Sequence, residues 1–370
     1  MLRRHRFVST SIVMLLSATA LAQVDPNSGI DFVTIGAAGN APYAGRPGGA
    51  DGRGQVNYEY RMGRFEVTTS QWVEFMNAAF DRPASDAIPH VYPPSAWGGA
   101  GAPAQNGGRR WRVQSGMDMI PTSGVDWRTC AIYCNWLHNG KSLERSAFLS
   151  GAYEVSTFGY IGSGGGFTDQ LTRSPGARYW VPNLDEWVKA AHYDPAKPNA
   201  NGTLGGYWTY GNSSDVPFVA GPPGVLVNGQ LATANTGWSS FSFPGYSPFS
   251  VPLGAYTGVT SPWGLYDVAG GTSEWLEDYL QDPSEPVPRY RYWEGSSRFF
   301  ASHRGDEVGE IDGGEFPTYF GDEVGFRVAA SVPAPGALPG LLILGSWTLA
   351  RSRRRPPPTD RKPTAARPPA

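Results

Sequence analysis

The chain has 370 residues and a formal net charge of −2, which argues against nucleic-acid binding, because that needs a basic face. Charged residues make up 17%, below the usual quarter, while 48 Gly, 33 Pro and 13 Trp point to a compact, loop-rich domain pinned by aromatic packing. With two cysteines in all, no disulfide framework can hold it together.

The N-terminus carries Arg3, Arg4 and Arg6, an apolar stretch from Phe7 to Leu16, and Ala20-Leu21-Ala22 before Gln23. Charge, a short greasy core and a small-residue exit are the order of a cleaved secretory signal, so residues 1–22 read as a signal peptide. The apolar core is short for a transmembrane span, and an N-terminal anchor helix is the alternative. Residues 23–56 are rich in Gly, Ala, Asn and Asp and read as a lead-in with one apolar stretch, Ile30 to Ile35.

Regular structure is expected from residue 57. Tyr58, Tyr60 and Met62 alternate with polar neighbours as in a half-buried strand, Gly63 breaks the register, and Phe65 and Val67 resume it. Thr68 and Gln71 have the capping-box spacing, and Trp72, Phe75, Met76, Ala79 and Phe80 share one helical face. After a Pro/Gly-rich loop over 81–120, Asp126 reads as the N-cap of a second helix lined by Trp127, Cys130, Ala131 and Cys134 and stopped at Asn139-Gly140. Residues 141–177 are Gly/Ser-rich and read as an excursion with a hairpin. Tyr179 to Val181 reads as a strand, and Leu184, Trp187, Val188 and Ala191 as a third helix closed by Asp194-Pro195. Beyond Tyr207 the best-marked strands are Trp263 to Val268 and Gly325 to Ala330. With no sustained repeat and no second core, residues 57–331 read as one domain.

The tail has its own pattern. Val332-Pro333-Ala334-Pro335-Gly336 leads into an apolar run, Ala337 to Ala350, and then to Arg351, Arg353, Arg354 and Arg355. As a helix that run spans only about 20 Å at about 1.5 Å per residue, short of a bilayer core of roughly 30 Å. The order of parts over 332–355 resembles the bacterial PEP-CTERM sorting signals, although Ala334 stands where Glu is usual and a Pro-rich basic tail (356–370) follows. A simple tail anchor is the alternative. Both put the membrane contact in this segment and make the protein exported, at the cell surface or secreted.

Five segments in order carry a second resemblance: Tyr-Arg-Met-Gly-Arg-Phe-Glu-Val-Thr-Thr-Ser-Gln (60–71), Val-Asp-Trp-Arg-Thr-Cys-Ala-Ile-Tyr-Cys-Asn-Trp-Leu (125–137), Tyr-Trp-Val-Pro-Asn-Leu-Asp-Glu-Trp-Val-Lys-Ala-Ala (179–191), Gly-Leu-Tyr-Asp-Val-Ala-Gly-Gly-Thr-Ser-Glu-Trp (264–275) and Gly-Phe-Arg-Val-Ala (325–329). This set resembles the sulfatase-modifying-factor family, the formylglycine-generating-enzyme domain. The resemblance implies an irregular, loop-rich α+β fold of the C-type-lectin-like kind. It also implies an oxidase that converts a substrate cysteine with O2, using Cu(I) held by two cysteine thiolates just before the last strand. Cu(I) prefers soft thiolates to oxygen ligands. The matching stretch, 293–304, contains no cysteine, and Phe299 and Arg304 fall near the thiol positions. Copper is therefore not expected.

Several residues remain as site candidates. Cys130 and Cys134, one helical turn apart, are either small packing residues or part of a rearranged site. His303 lies in the region of the missing copper site and is either an acid–base group or a surface or polar-network histidine. Asp267, Gly270, Thr272 and Glu274 offer carboxylates and carbonyls in a short turn, the hard oxygens that Ca2+ takes in sets of about 6–8. Family members bind structural calcium at the matching turn, so calcium is expected there, with a turn of solvated acids as the alternative. A second family calcium site would begin at Asn235 and Thr236, but its carboxylate partner is missing around Gly245 to Ser247. The expected role is a binding or structural module for a glycan or another exported protein, presenting loops 81–120, 141–177 and 281–320. Tyr92, Trp97, Tyr290, Tyr292 and Trp293 are the stacking candidates. The rival role is a divergent oxidoreductase that modifies an exported protein.

Overall fold

The computed structural model describes residues 23–45, 49–101, 110–162, 165–199, 201–280, 287–300 and 306–333. The elements run β1 (Gln23–Val24), β2 (Asp31–Ile35), β3 (Tyr60–Gly63), α1 (Thr69–Phe80), β4 (Gly99–Gly101), β5 (Trp111–Val113), α2 (Trp127–His138) and α3 (Ser146–Leu149). They continue with β6 (Tyr179–Trp180), α4 (Leu184–His192), β7 (Tyr193–Pro198), β8 (Leu204–Tyr207), β9 (Leu226–Val227) and β10 (Gln230–Leu231). The last are β11 (Ser273–Leu280), β12 (Tyr290–Glu294), β13 (Gly313–Glu315), β14 (Val324–Gly325) and β15 (Ala329–Ser331).

Local signals set the helices. Thr68 accepts from the Gln71 amide and its own amide donates to the Gln71 side chain, so α1 opens with a complete capping box. Asp126 caps α2 through the Thr129 amide at 2.6 Å, and Asn183 with Glu186 forms a second capping box on α4. α2 ends at Asn139, and Gly140 takes the left-handed φ of 67° that lets the chain turn off the helix. The apolar faces of α1 and α2 meet in an aromatic core, with Trp72 against Tyr133 at 5.3 Å, Phe75 against Trp136 at 5.6 Å and Tyr133 against Phe326 at 5.6 Å between ring centres. Such pairs contribute roughly 0.5–1.5 kcal/mol each beyond burial alone.

Two sheets frame this core. The first is antiparallel, in the order β1-β2-β3-β15-β6; the second runs β13-β12-β11-β14, with β11 and β14 parallel. The stretch from Gly325 to Ala330, expected as one strand, divides between them: Gly325 ends β14 in the second sheet, and Ala329 and Ala330 belong to β15 in the first. The segment therefore ties the sheets together. The expected strand at Trp263 to Val268 is a run of turns, because Gly264 (φ 89°) and Asp267 (φ 52°) take left-handed conformations that no strand accommodates. The strand begins later, at Ser273. Asp194-Pro195 does not close α4 into a loop; β7 runs through it and pairs with β8. The stretch taken as a lead-in supplies β1 and β2, and β2 pairs with β3 from Phe32↔Gly63 to Ile35↔Tyr60.

The described residues up to Val332 form one compact unit. The expected export signal (1–22) and the sorting segment from Ala334 onward lie outside the described residues. Among the described residues no helix is long and apolar enough to cross a membrane.

Candidate functional site

The start of β11 is tied to the segment between β14 and β15 through one ion pair. Arg327 Nη2 donates to Glu274 Oε1 at 2.8 Å, and its Nε lies 3.1 and 3.2 Å from the two carboxylate oxygens. Nη1 donates to the Gly63 carbonyl and Nη2 also to the Tyr266 carbonyl, both at 2.9 Å. Trp187 Nε1 donates to Glu274 Oε2 at 2.9 Å. Both charged side chains are fully buried. Burial works against the guanidinium's charge, yet Glu274 holds the Arg327 pKa above its ordinary value.

The neighbouring groups are also tied. Asp267 Oδ2 accepts from the Gly254 amide at 2.6 Å, and burial pushes its carboxyl up to about 6. Asn235 donates to the Pro248 carbonyl at 2.9 Å, and its own carbonyl accepts from Gly271 N at 3.0 Å. Glu66, which the sequence did not single out, sits under the same turn. Its Oε1 accepts from the Thr272 amide at 3.1 Å, while its Oε2 and the Thr272 hydroxyl are buried without a hydrogen-bond partner. Burial, then the charge of Glu274, raises the Glu66 pKa well above the carboxylate range. A Cβ on Gly271 would stand 2.7 Å from Glu66 Oε1, so the turn requires glycine there.

The turn that follows β12 lies beside this junction. Ser296 donates from its amide and hydroxyl to Asp306 at 2.9 and 3.0 Å; the Ser296 carbonyl accepts from Gly270 N, and Arg298 N donates to the Gly271 carbonyl at 3.1 Å. The buried Arg298 guanidinium stacks over Phe249 and Phe299, 5.0 and 5.8 Å from the ring centres, and donates to Ser123 Oγ. Its burial lowers its pKa to about 10. Phe299 packs edge-on against Phe249 at 5.0 Å, and Phe300 is 62% exposed.

Residues 32–332 match the family model described as the sulfatase-modifying factor enzyme 1-like domain. The chain belongs to this family. The irregular α+β fold expected from the resemblance is the family's fold. Among solved structures, CarF is similar at 19% identity, covering 83% of this chain and 100% of its own, with a TM-score of 0.44. The variable protein 1 of Treponema denticola is similar at 16% identity (84% and 99% covered, TM-score 0.47), and PvdO from Pseudomonas aeruginosa at 16% (85% and 98%, TM-score 0.47). No curated protein matches the chain.

The family's copper does not fit this member. The stretch expected to match the thiolate pair, 293–304, has no cysteine; Phe299 is near one expected thiol position, and Arg304, near the other, lies with His303 outside the described residues. The two cysteines of the chain, Cys130 and Cys134, are wholly buried in the aromatic core on α2. Burial raises both thiols well above their ordinary pKa, which opposes the thiolate that copper needs. They pack as small core residues.

The expected calcium turn does not fit either. A guanidinium already neutralises Glu274 and fills both its oxygens, and a divalent cation placed there would face Arg327 at ion-pair distance. Arg327 does the bridging expected of the ion, tying the Gly63 and Tyr266 carbonyls to a carboxylate. Asn235 belongs to the same junction and brings no carboxylate of its own to it. Among the described residues no group of three or more His, Cys, Asp or Glu side chains is placed to hold a metal.

The stacking candidates separate cleanly. Tyr92 is 57% exposed, whereas Trp97, Tyr290, Tyr292 and Trp293 are partly buried. Trp97 packs on Trp111, Tyr290 on Phe316, and Trp293 on Trp275 and Tyr319. Other exposed rings are Phe241, Tyr246, Phe249 and Phe300, which periodicity could not pick out because they lie outside the regular helices and strands.

Proposed function

We propose that this chain is an exported, surface-retained binding or structural module that keeps the family fold without the copper oxidase chemistry, and that its partner is a glycan or another exported protein. One observation carries the reading: the chain's two cysteines are buried on α2, while the turn matching the family's thiolate pair has Phe299 beside Phe249 and Phe300. An aromatic surface backed by a buried arginine can contact a partner but cannot ligate Cu(I). Export and retention rest on the signal-like residues 1–22 and the apolar and basic run 337–355.

The deciding experiment loads the mature protein with Cu(I) and supplies O2 and a cysteine-containing sulfatase peptide, with formylglycine read by mass spectrometry. No product above a copper-only control is expected; turnover well above it overturns the reading in favour of the divergent oxidoreductase. Retention is tested by deleting 337–355, which should release the domain into the medium. A truncated protein as cell-associated as the full chain would show that this segment is not the anchor.

A further inference from the structure

From Val216 to Tyr266 the chain carries no Asp, Glu, Lys, Arg or His, although 17% of the whole is charged. This run is not simply buried: Leu226, Leu231, Phe241, Tyr246 and Phe249 are exposed, Phe241 at 96%. Ala232, Trp238, Val251 and Tyr256 form a small core within the run, and Val227 and Phe243 pack against it. Phe241, Tyr246 and Phe249 have no place in that core.

These three rings lie in one short loop, 239–250. It is folded on itself by bonds from Phe243 N to Ser239 O at 3.0 Å, Tyr246 N to Phe243 O at 3.1 Å and Ser250 N to Ser247 O at 3.1 Å. Rings alternate with hydroxyls along it: the exposed Ser240 and Ser242 flank Phe241, Ser247 follows Tyr246, and Ser250 follows Phe249. Phe249 anchors the loop, with its ring edge-on to Phe299 and the Arg298 guanidinium 5.0 Å from its centre. Arg298 is only 3% exposed and lends the surface no charge. Phe241 and Tyr246 remain free to meet a partner.

Charge separates the possible partners. A nucleic acid or an anionic lipid surface finds no cation on this loop. Roughly a quarter of a typical protein's residues are charged, and an uncharged loop laid over them desolvates those charges without pairing them. A second copy of the loop avoids that cost but buries serine hydroxyls against more rings. A neutral polysaccharide meets neither obstacle, since each pyranose offers a C–H face to an aromatic ring and rim hydroxyls to a serine. We infer that the loop 239–250 is a binding site for a neutral polysaccharide, with sugar faces on Phe241 and Tyr246 and sugar hydroxyls bonded to the adjacent serines. Such a site rests on the reading of the chain as a binding module and narrows its partner to an uncharged glycan.

The test incubates the full mature chain with three insoluble neutral matrices, cellulose, mannan and cross-linked dextran, and measures the bound fraction. Saturable binding to at least one is expected, unchanged between low salt and about 0.5 M NaCl, because no ion pair contributes. The F241A/Y246A double variant should bind roughly ten-fold more weakly, as truncated aromatic anchors do. Both side chains are exposed, and an unchanged melting temperature would show that the fold is retained. Leu204→Ala, at an exposed apolar residue outside the run, should bind like the natural chain. The inference is overturned by absence of saturable binding to all three matrices, by binding that falls as salt rises, or by a double variant that binds like the natural chain. It also fails if the protein self-associates in sedimentation runs and the double variant is monomeric, which would make the loop an interface between copies. A chain that makes no formylglycine and binds no neutral glycan would lose this site and keep the module reading, so the two failures are distinct.

Discussion

Arg327 and Glu274 form a fully buried ion pair, 2.8 Å from Nη2 to Oε1, that joins the segment between the two sheets to the start of β11. Every donor of the guanidinium that the geometry reveals goes to protein: the carboxylate, the Gly63 carbonyl and the Tyr266 carbonyl. Removing one partner strands the other charge in a dry site, which costs about 3–5 kcal/mol. Arg327→Met should therefore lower the unfolding free energy by that amount in urea titrations. The double change Arg327→Met with Glu274→Gln should cost distinctly less, because no uncompensated charge is left behind. Equal losses for the single and double variants would mean that packing around the guanidinium, and not its charge, holds the junction.

The same pair sets the expectation for calcium. An ion bound only to the native state at about 100 times its Kd would add about 2.7 kcal/mol. In a domain of this size that would raise Tm by at least a few degrees. With Glu274 already neutralised, the melting curve should not move on adding calcium or a chelator, and Asp267→Asn should not create or remove a calcium response. A calcium-dependent rise in Tm that disappears in Asp267→Asn would show that the turn rearranges to take the ion.

What was legible in the sequence was local. The box of Thr68 and Gln71 and the Asp126 cap lie within three residues of their partners, so spacing alone revealed them. The pairing of β2 with β3 was hidden because nothing in a short apolar stretch says which distant strand it will join. Trp263 to Val268 looked extended because its apolar residues imitate a strand, but two left-handed residues decide the backbone. At the site, Asp267, Gly270, Thr272 and Glu274 lie in one turn, as their spacing suggested, and Asn235, expected to begin a separate calcium site, pairs with Gly270 and Gly271 beside them. What spacing could not show is the partner of Glu274, an arginine 53 residues further along the chain. Glu66 went unnoticed for the same reason: its contact to the Thr272 amide spans 206 residues.

Stability should depend on pH through buried carboxyls. Burial pushes Asp306 up to about 7 and Glu277 up to about 7, although Ser296 and Arg173 pull the other way. In the unfolded chain these groups titrate near about 4. A raised native pKa means that the folded state holds the extra proton, so the contribution is complete below about pH 4 and is lost as pH climbs toward about 7. Each group can add a slope of up to about 1.4 kcal/mol per pH unit within that window. Unfolding free energies measured from pH 5 to pH 8 should therefore fall. Asp306→Asn keeps an acceptor for the Ser296 amide but cannot ionise, so it should flatten the fall. A slope unchanged in this variant would place the pH dependence elsewhere.

The cysteines offer the most direct check on the loss of copper chemistry. Cys130 and Cys134 lie on the same face of α2 one turn apart, and both are fully buried, as are Trp127, Ala131 and Tyr133. Burial comes first among the causes that raise both thiols, followed by the charge of Asp126 for Cys130 and of Glu277 for Cys134. A thiol reagent attacks only the thiolate and only where it can reach. In native protein at neutral pH, neither cysteine should react with an aromatic disulfide reagent over hours, while both should react at once in guanidinium. Adding Cu(I) should leave the native labelling pattern unchanged. Cys134→Ala should fold and lose about 1 kcal/mol or somewhat more, the usual effect of emptying a small buried volume. Rapid labelling of the native protein, or labelling that Cu(I) specifically blocks, would show that α2 opens to solvent and would return these two residues to consideration as metal ligands.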